Sequence, residues 1–122
     1  RQYQKVNSHA QVSEASPHRL VQMLMEGALD RMAQAKGAMA RGDIAQKGLL
    51  LGKAVDILVG LRDGLNPEKT DDPAALQQLD NLYAYMSTRL MEANRQNDVA
   101  MIDEVAGLMI TLKEGWDGIA TL

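Results

Sequence analysis

The chain has no cysteine, no phenylalanine, a single tryptophan and only two histidines among its 122 residues. Without cysteine it forms no disulfide and offers no thiolate to a metal, which is consistent with a cytoplasmic setting. No apolar run approaches the ~20 residues that a helix needs to cross a bilayer, and no basic segment followed by an apolar stretch and a cleavage site opens the sequence. Membrane insertion is therefore not expected. Positive charge is not in excess either: 13 Lys and Arg against 16 Asp and Glu leave a net charge of -3. With the signs interspersed there is no basic stripe, and nucleic acid is not an expected partner.

What is present is the composition of one folded domain, 46% hydrophobic and 24% charged, long enough to bury a core without covalent staples. Residues 1–15 form a polar arm in which Tyr3, Val6 and Val12 are apolar islands. It reads either as a frayed terminus or as an arm that lays Tyr3 and Val6 onto an apolar groove. At Ser16-Pro17 the pattern changes, because Ser is a favoured N-cap and Pro a favoured first helical residue. A helix is expected over 17–41, with Val21, Leu24, Met25, Ala28, Met32, Ala35 and Met39 on one stripe and Gly42 as its stop. Asp43 caps a second helix over 44–65, with Ile44, Leu51, Val55, Leu58, Leu61 and Leu65 aligned and Asn66-Pro67 ending it.

That second helix carries more apolar surface than one stripe requires. Leu50, Ala54 and Ile57 run beside the first line, and Leu49 and Val59 lie further round. Two readings stand: burial of a central helix on most of its circumference, or an exposed groove for a partner. Glu68 to Asp72 makes a polar connection, and Asp72-Pro73 repeats the cap-then-proline start of a third helix over 73–97. Its stripe is Leu79, Tyr83, Met86, Leu90 and Ala93, with Tyr85 pointing elsewhere. Asn97 or Asp98 caps a fourth helix over 98–118, whose Ile102, Val105, Met109, Leu112, Trp116 and Ile119 alternate by three and four. Residues 16–122 are thus expected to form an all-α, antiparallel up-and-down four-helix bundle preceded by the extended N-terminal arm of residues 1–15.

Catalytic chemistry finds little support. His9 and His18 lie in or beside the arm, Glu14 precedes the helix that carries His18, and no pair of Glu-x-x-His motifs is present to hold two metals. Asp80, Glu92, Asp103 and Glu104 read as solvated faces or, for the last two, as acidic residues suited to a helix start. No enzyme activity, cofactor or metal is expected.

Ala15-Ser16-Pro17-His18-Arg19-Leu20, Met23 to Ala28, Leu82-Tyr83-Ala84-Tyr85-Met86, Arg89-Leu90, Glu92-Ala93-Asn94, Asn97-Asp98, Glu104-Val105 and Trp116 together resemble the flagellar export chaperone family FliS over nearly the whole chain. The chain departs from the family pattern at Met25, Ala84 and Ser87-Thr88. The resemblance implies an antiparallel helical bundle that binds the disordered C-terminal segment of flagellin in the cytoplasm, prevents premature polymerisation and assists delivery to the flagellar type III export apparatus. It also implies an arm, here Tyr3 and Val6, that lies over part of the partner surface. Apolar excess adds Leu50, Ile57, Tyr85, Met101 and Leu108 as groove residues, and the eight methionines as side chains able to adapt to an irregular ligand. The alternative is a structural bundle that uses the same surface to self-associate, so that the expected state is a monomer or a weak homodimer.

Overall fold

Each helix starts where a short polar side chain can take up a free backbone N–H, and the computed structural model, which describes residues 15–119, shows all four such caps. Ser16 accepts from the Arg19 N–H and opens α1 (Pro17–Arg41); Asp43 accepts from the Gln46 N–H and opens α2 (Ile44–Asp63). Asp72 and Asp98 do the same for α3 (Pro73–Gln96) and α4 (Val99–Asp117). The stops are as local as the starts. Gly42 (φ 72°) and Asn97 (φ 55°) take the left-handed conformation that turns the chain out of a helix, so both hairpins close within two residues. A single 3₁₀ turn, Pro67–Lys69, interrupts the longer connection between α2 and α3.

Among the described residues every regular element is helical, and each helix packs against its two neighbours in the cyclic order α1, α2, α3, α4. Polar contacts between helices fix the antiparallel directions. Arg62 of α2 meets Asp80 of α3 (2.9 Å), Arg89 of α3 meets Glu104 of α4 (2.7 Å), and Lys36 of α1 meets Asp103 of α4 (2.6 Å). The molecule is a four-helix bundle with up-and-down connectivity.

Met25 and Met32 from α1, Leu51 and Leu58 from α2, Met86 and Leu90 from α3, and Ile102, Val105 and Met109 from α4 fill the axis. Burying each such side chain contributes about 1.5–3 kcal/mol relative to leaving it in water. Met25, Met32, Met86 and Met109, four of the eight methionines, are buried in the core. Leu50 and Ala54 are core as well, which resolves the second apolar line of α2 in favour of burial there. Leu49 and Val59 remain exposed. Ile44, placed on the buried stripe by periodicity, is exposed because it sits in the first turn of α2, at the very end of the bundle beside a recess it shares with Met39 and Asn94. α2 also ends at Asp63, capped by Gly64, two residues short of the expected Leu65.

The two ends of the bundle differ. At the end holding both tight turns, Lys47 is only 5% exposed, and its Nζ donates to the Asn94 carbonyl (3.0 Å) and to Asn97 Oδ1 (3.1 Å). The ammonium therefore faces the last carbonyl groups of α3, where the helix dipole favours a cation. It fastens one hairpin to the other. Ser87 takes an apolar seat on α3, and its hydroxyl has no hydrogen-bond partner among the described residues.

Candidate functional site

At the opposite end the four apolar stripes run out without closing over one another. Val21, Leu24 and Met25 from the first turns of α1, Leu61 from the end of α2 and Leu65 just beyond it, Leu79 and Tyr83 from α3, and Leu112 and Trp116 from the end of α4 with Ile119 just beyond it surround a cavity of about 510 Å³. Three glycines complete its wall, Gly60, Gly64 and Gly115. At Gly60 and Gly115 a Cβ would meet nothing within 4 Å, so these positions leave space that ordinary side chains would fill. The pocket is open to solvent, lined almost wholly by apolar atoms, and of a size suited to several side chains of a ligand.

One wall is held by a reciprocal contact between chain segments 98 residues apart. His18 Nε2 bonds to the Trp116 carbonyl oxygen (2.8 Å), Trp116 Nε1 donates to the His18 carbonyl (2.9 Å), and the two rings stack with centroids 4.9 Å apart. Alongside, Gln22 Nε2 donates to Asp117 Oδ1 (2.8 Å), and Lys113 lies 2.8 Å from Asp117 and 3.6 Å from Glu26. Hydrogen bonds from Lys113 and then Gln22 hold the Asp117 carboxyl below the usual carboxylate range. This polar seam ties α1 to α4 and keeps their apolar edges facing the cavity.

The residues singled out from the sequence do not converge on this pocket. Tyr3 and Val6 lie outside the described residues. Leu50 is buried in the core, which corrects its expected place on an open groove: its side chain lies on the inner face of α2. Ile57 is half-buried between α1 and α2, where a Cβ on Gly27 would stand 3.4 Å from its Cδ1. Tyr85 is exposed and donates its hydroxyl to Glu104 Oε2. Met101 and Leu108, three residues before and four after Glu104 on α4, share its helical face and are half-buried. Tyr85, Met101 and Leu108 therefore gather at the α3–α4 seam, apart from Leu50 and Ile57.

Glu104 does more there than occupy a helix start. It accepts from Tyr85 and from Arg89 Nε (2.9 Å), and the Arg89 guanidinium stands 5.9 Å from the Tyr85 ring centroid. The Tyr85 hydrogen bond and then that of Arg89 hold the Glu104 carboxyl below its ordinary value of 4.5. A carboxylate whose folded pKa is depressed stabilises the fold above its unfolded pKa, and that stabilisation is lost as pH falls through the folded value. Glu104→Gln is accordingly expected to lower the urea midpoint at pH 7, with the difference from wild type shrinking below about pH 4.5 as the wild-type carboxylate is protonated and loses its charge. Denaturation curves at several pH values between 7 and 3 measure this, and a difference constant across that range would refute it.

The pocket residues were visible in the sequence as core stripes, but their convergence was not. The signal available was the placement of Gly60, Gly64 and Gly115 beside the ends of those stripes, where apolar neighbours lose their cover. Among the described residues no group of three His, Cys, Asp or Glu side chains could hold a metal ion, and no helix is long and apolar enough to cross a membrane.

Fold and pocket together make the protein one of a class, the helical bundle with an open apolar pocket at one end and a fastened opposite end. Its sequence narrows the class to a family: the model of the flagellar protein FliS matches residues 1–122, and the chain belongs to that family. It is 52% identical to the flagellar secretion chaperone FliSB of Pseudomonas aeruginosa, over 98% of this chain and 94% of that protein. It is 45% identical to the flagellar secretion chaperone FliS of Vibrio cholerae over 96% of this chain and 85% of that protein, and 40% identical to that of Salmonella typhimurium over 97% and 87%.

Proposed function

We propose that this chain is a flagellar secretion chaperone that binds the disordered C-terminal segment of flagellin in the cytoplasm, keeps it from polymerising prematurely and assists its delivery to the flagellar type III export apparatus. The observation that carries the reading is the open apolar pocket at the end of the bundle, in a chain so similar to proteins named flagellar secretion chaperones. An unfolded chain end that must later pack against its own kind exposes apolar side chains that associate in water. A pocket of this kind covers them, and the area buried offsets the entropy lost when the segment orders. The role is that of a binding protein, without catalysis or a cofactor. The exposed apolar residues Leu24 on α1 and Ile119 beyond α4 line the mouth of the pocket and extend the surface over which a helical segment lies.

Titrating the full chain with a synthetic peptide of the flagellin C-terminal segment tests this directly. Binding heat in calorimetry and a gain of helical circular dichroism beyond the sum of the two components are expected. No heat and no gain at peptide concentrations up to about 100 μM, where even weak specific interfaces are occupied, would sink the flagellin reading.

A further inference from the structure

The recess at the end with the two tight turns is as large as the apolar pocket, about 520 Å³, and differs from it in holding a buried charge. Lys47 lines it from the first turn of α2, beside Met39 of α1 and Asn94, Arg95 and Asn97 at the end of α3. An ammonium has three N–H donors. Among the described residues this one gives two hydrogen bonds, both to uncharged oxygens, and forms no ion pair. Buried charges ordinarily have an ionic partner, because neutral groups alone offset little of the cost of desolvation. The more exposed cations of the helix seams follow that rule: Arg62 has Asp80, Arg89 has Glu104 and Lys36 has Asp103. Within the recess the other charges are engaged elsewhere. Asp43 caps α2 by accepting from the Gln46 N–H, and Arg95 is paired with Glu92. The start of α2 at Asp43 and Ile44 opens onto the same space and adds the positive end of its helix dipole.

We propose that this recess is a second seat for the bound flagellin segment, which takes the segment's terminal α-carboxylate with Lys47 as its counter-ion. This rests on the reading that the C-terminal segment of flagellin is the ligand. Such a segment ends in a carboxylate that is ionised at neutral pH, so the ligand brings the anion that the recess lacks. Met39 and the exposed Ile44 give its last side chains an apolar surface beside the charge. The distance is within reach. α2 has 20 residues and so separates the two ends of the bundle by about 30 Å, which roughly 20 helical or ten extended residues of a ligand span. A segment held by apolar side chains at one end and by its terminus at the other is fixed in direction and register along the bundle. A stretch from the interior of a chain, which has no terminal carboxylate, forfeits the second contact.

The experiment titrates the full wild-type chain and Lys47→Met by calorimetry with two forms of a flagellin C-terminal peptide long enough to span the bundle, one ending in the free acid and one in the amide. Wild type is expected to bind the acid about tenfold more tightly than the amide, as for one charge-assisted hydrogen bond. Lys47→Met is expected to bind both forms equally, at the strength with which wild type binds the amide. Equal affinity of wild type for acid and amide overturns the proposal and leaves the flagellin reading intact. That comparison needs no substitution, so it stands even where Lys47→Met weakens the fold. A tenfold preference for the acid that persists in Lys47→Met also overturns the proposal, because the carboxylate would then be seated elsewhere. A wild type that binds neither form overturns both readings.

Discussion

Leu24→Glu is expected to leave the bundle folded and to weaken binding of the flagellin C-terminal peptide by about a hundredfold. Leu24 sits on the pocket wall yet is 37% exposed, so in the free chain a glutamate there can turn its carboxylate to water. Glutamate is also nearly as good a helix former as leucine. Once an apolar segment covers the wall, that carboxylate must be desolvated or the segment displaced, which costs several kcal/mol at a dry contact. Leu20→Glu provides the matched control. Leu20 lies one turn earlier on the same helix with 38% exposure, does not line the pocket, and introduces the same charge. Its affinity is expected to stay within about threefold of wild type, in keeping with the small worth of surface charges. Calorimetry on both variants, with helicity checked by circular dichroism, decides the matter; equal losses would mean that the segment is repelled by charge in general and not seated at Leu24.

The largest loss of stability is expected at Leu58→Ala. Leu58 is fully buried at the axis between the helices, and truncating it removes three buried carbon atoms and leaves a cavity that rigid helices cannot close. A destabilisation of about 2–5 kcal/mol follows, and for a domain of this length a fall in melting temperature of roughly 10 °C or more. Leu49→Ala, the same chemistry on the exposed side of α2, is expected to change stability by about 0.5 kcal/mol or less. Urea denaturation of the pair measures the contrast, and similar losses at the two sites would contradict the placement of the core.

The helices were legible because their ends are written locally. Ser16-Pro17, Gly42-Asp43, Asp72-Pro73 and Asn97-Asp98 each carry a cap, a proline or a left-handed residue, and a reader needs only four neighbouring positions to see it. The site was not legible in this way, because its walls come from the first turns of α1 and α3 and the last turns of α2 and α4. Periodicity correctly aligns Tyr83 with Met86 and Leu112 with Met109, but it cannot say that one member of each pair is packed at the axis and the other borders open space. Lys47 escaped for the complementary reason. A lysine between Gln46 and Gly48 looks solvated until the end of α3 is brought across it. Glu104 was assigned to its own helix, whereas its bonds run to α3. In each case the missing information was which helix lies opposite, which is a property of the whole chain.

The glycines beside the pocket set a rule for anyone wishing to harden this protein against heat. Exchanging a helical glycine for alanine ordinarily adds about 0.5–1 kcal/mol of stability, and Gly60 and Gly115 have room for the methyl group. Any methyl added there takes up volume beside the guest's seat. Gly52, on the outer side of α2 and equally unobstructed, can accept the exchange without touching that wall. The sturdiest version of the bundle and the most capacious one are therefore different sequences.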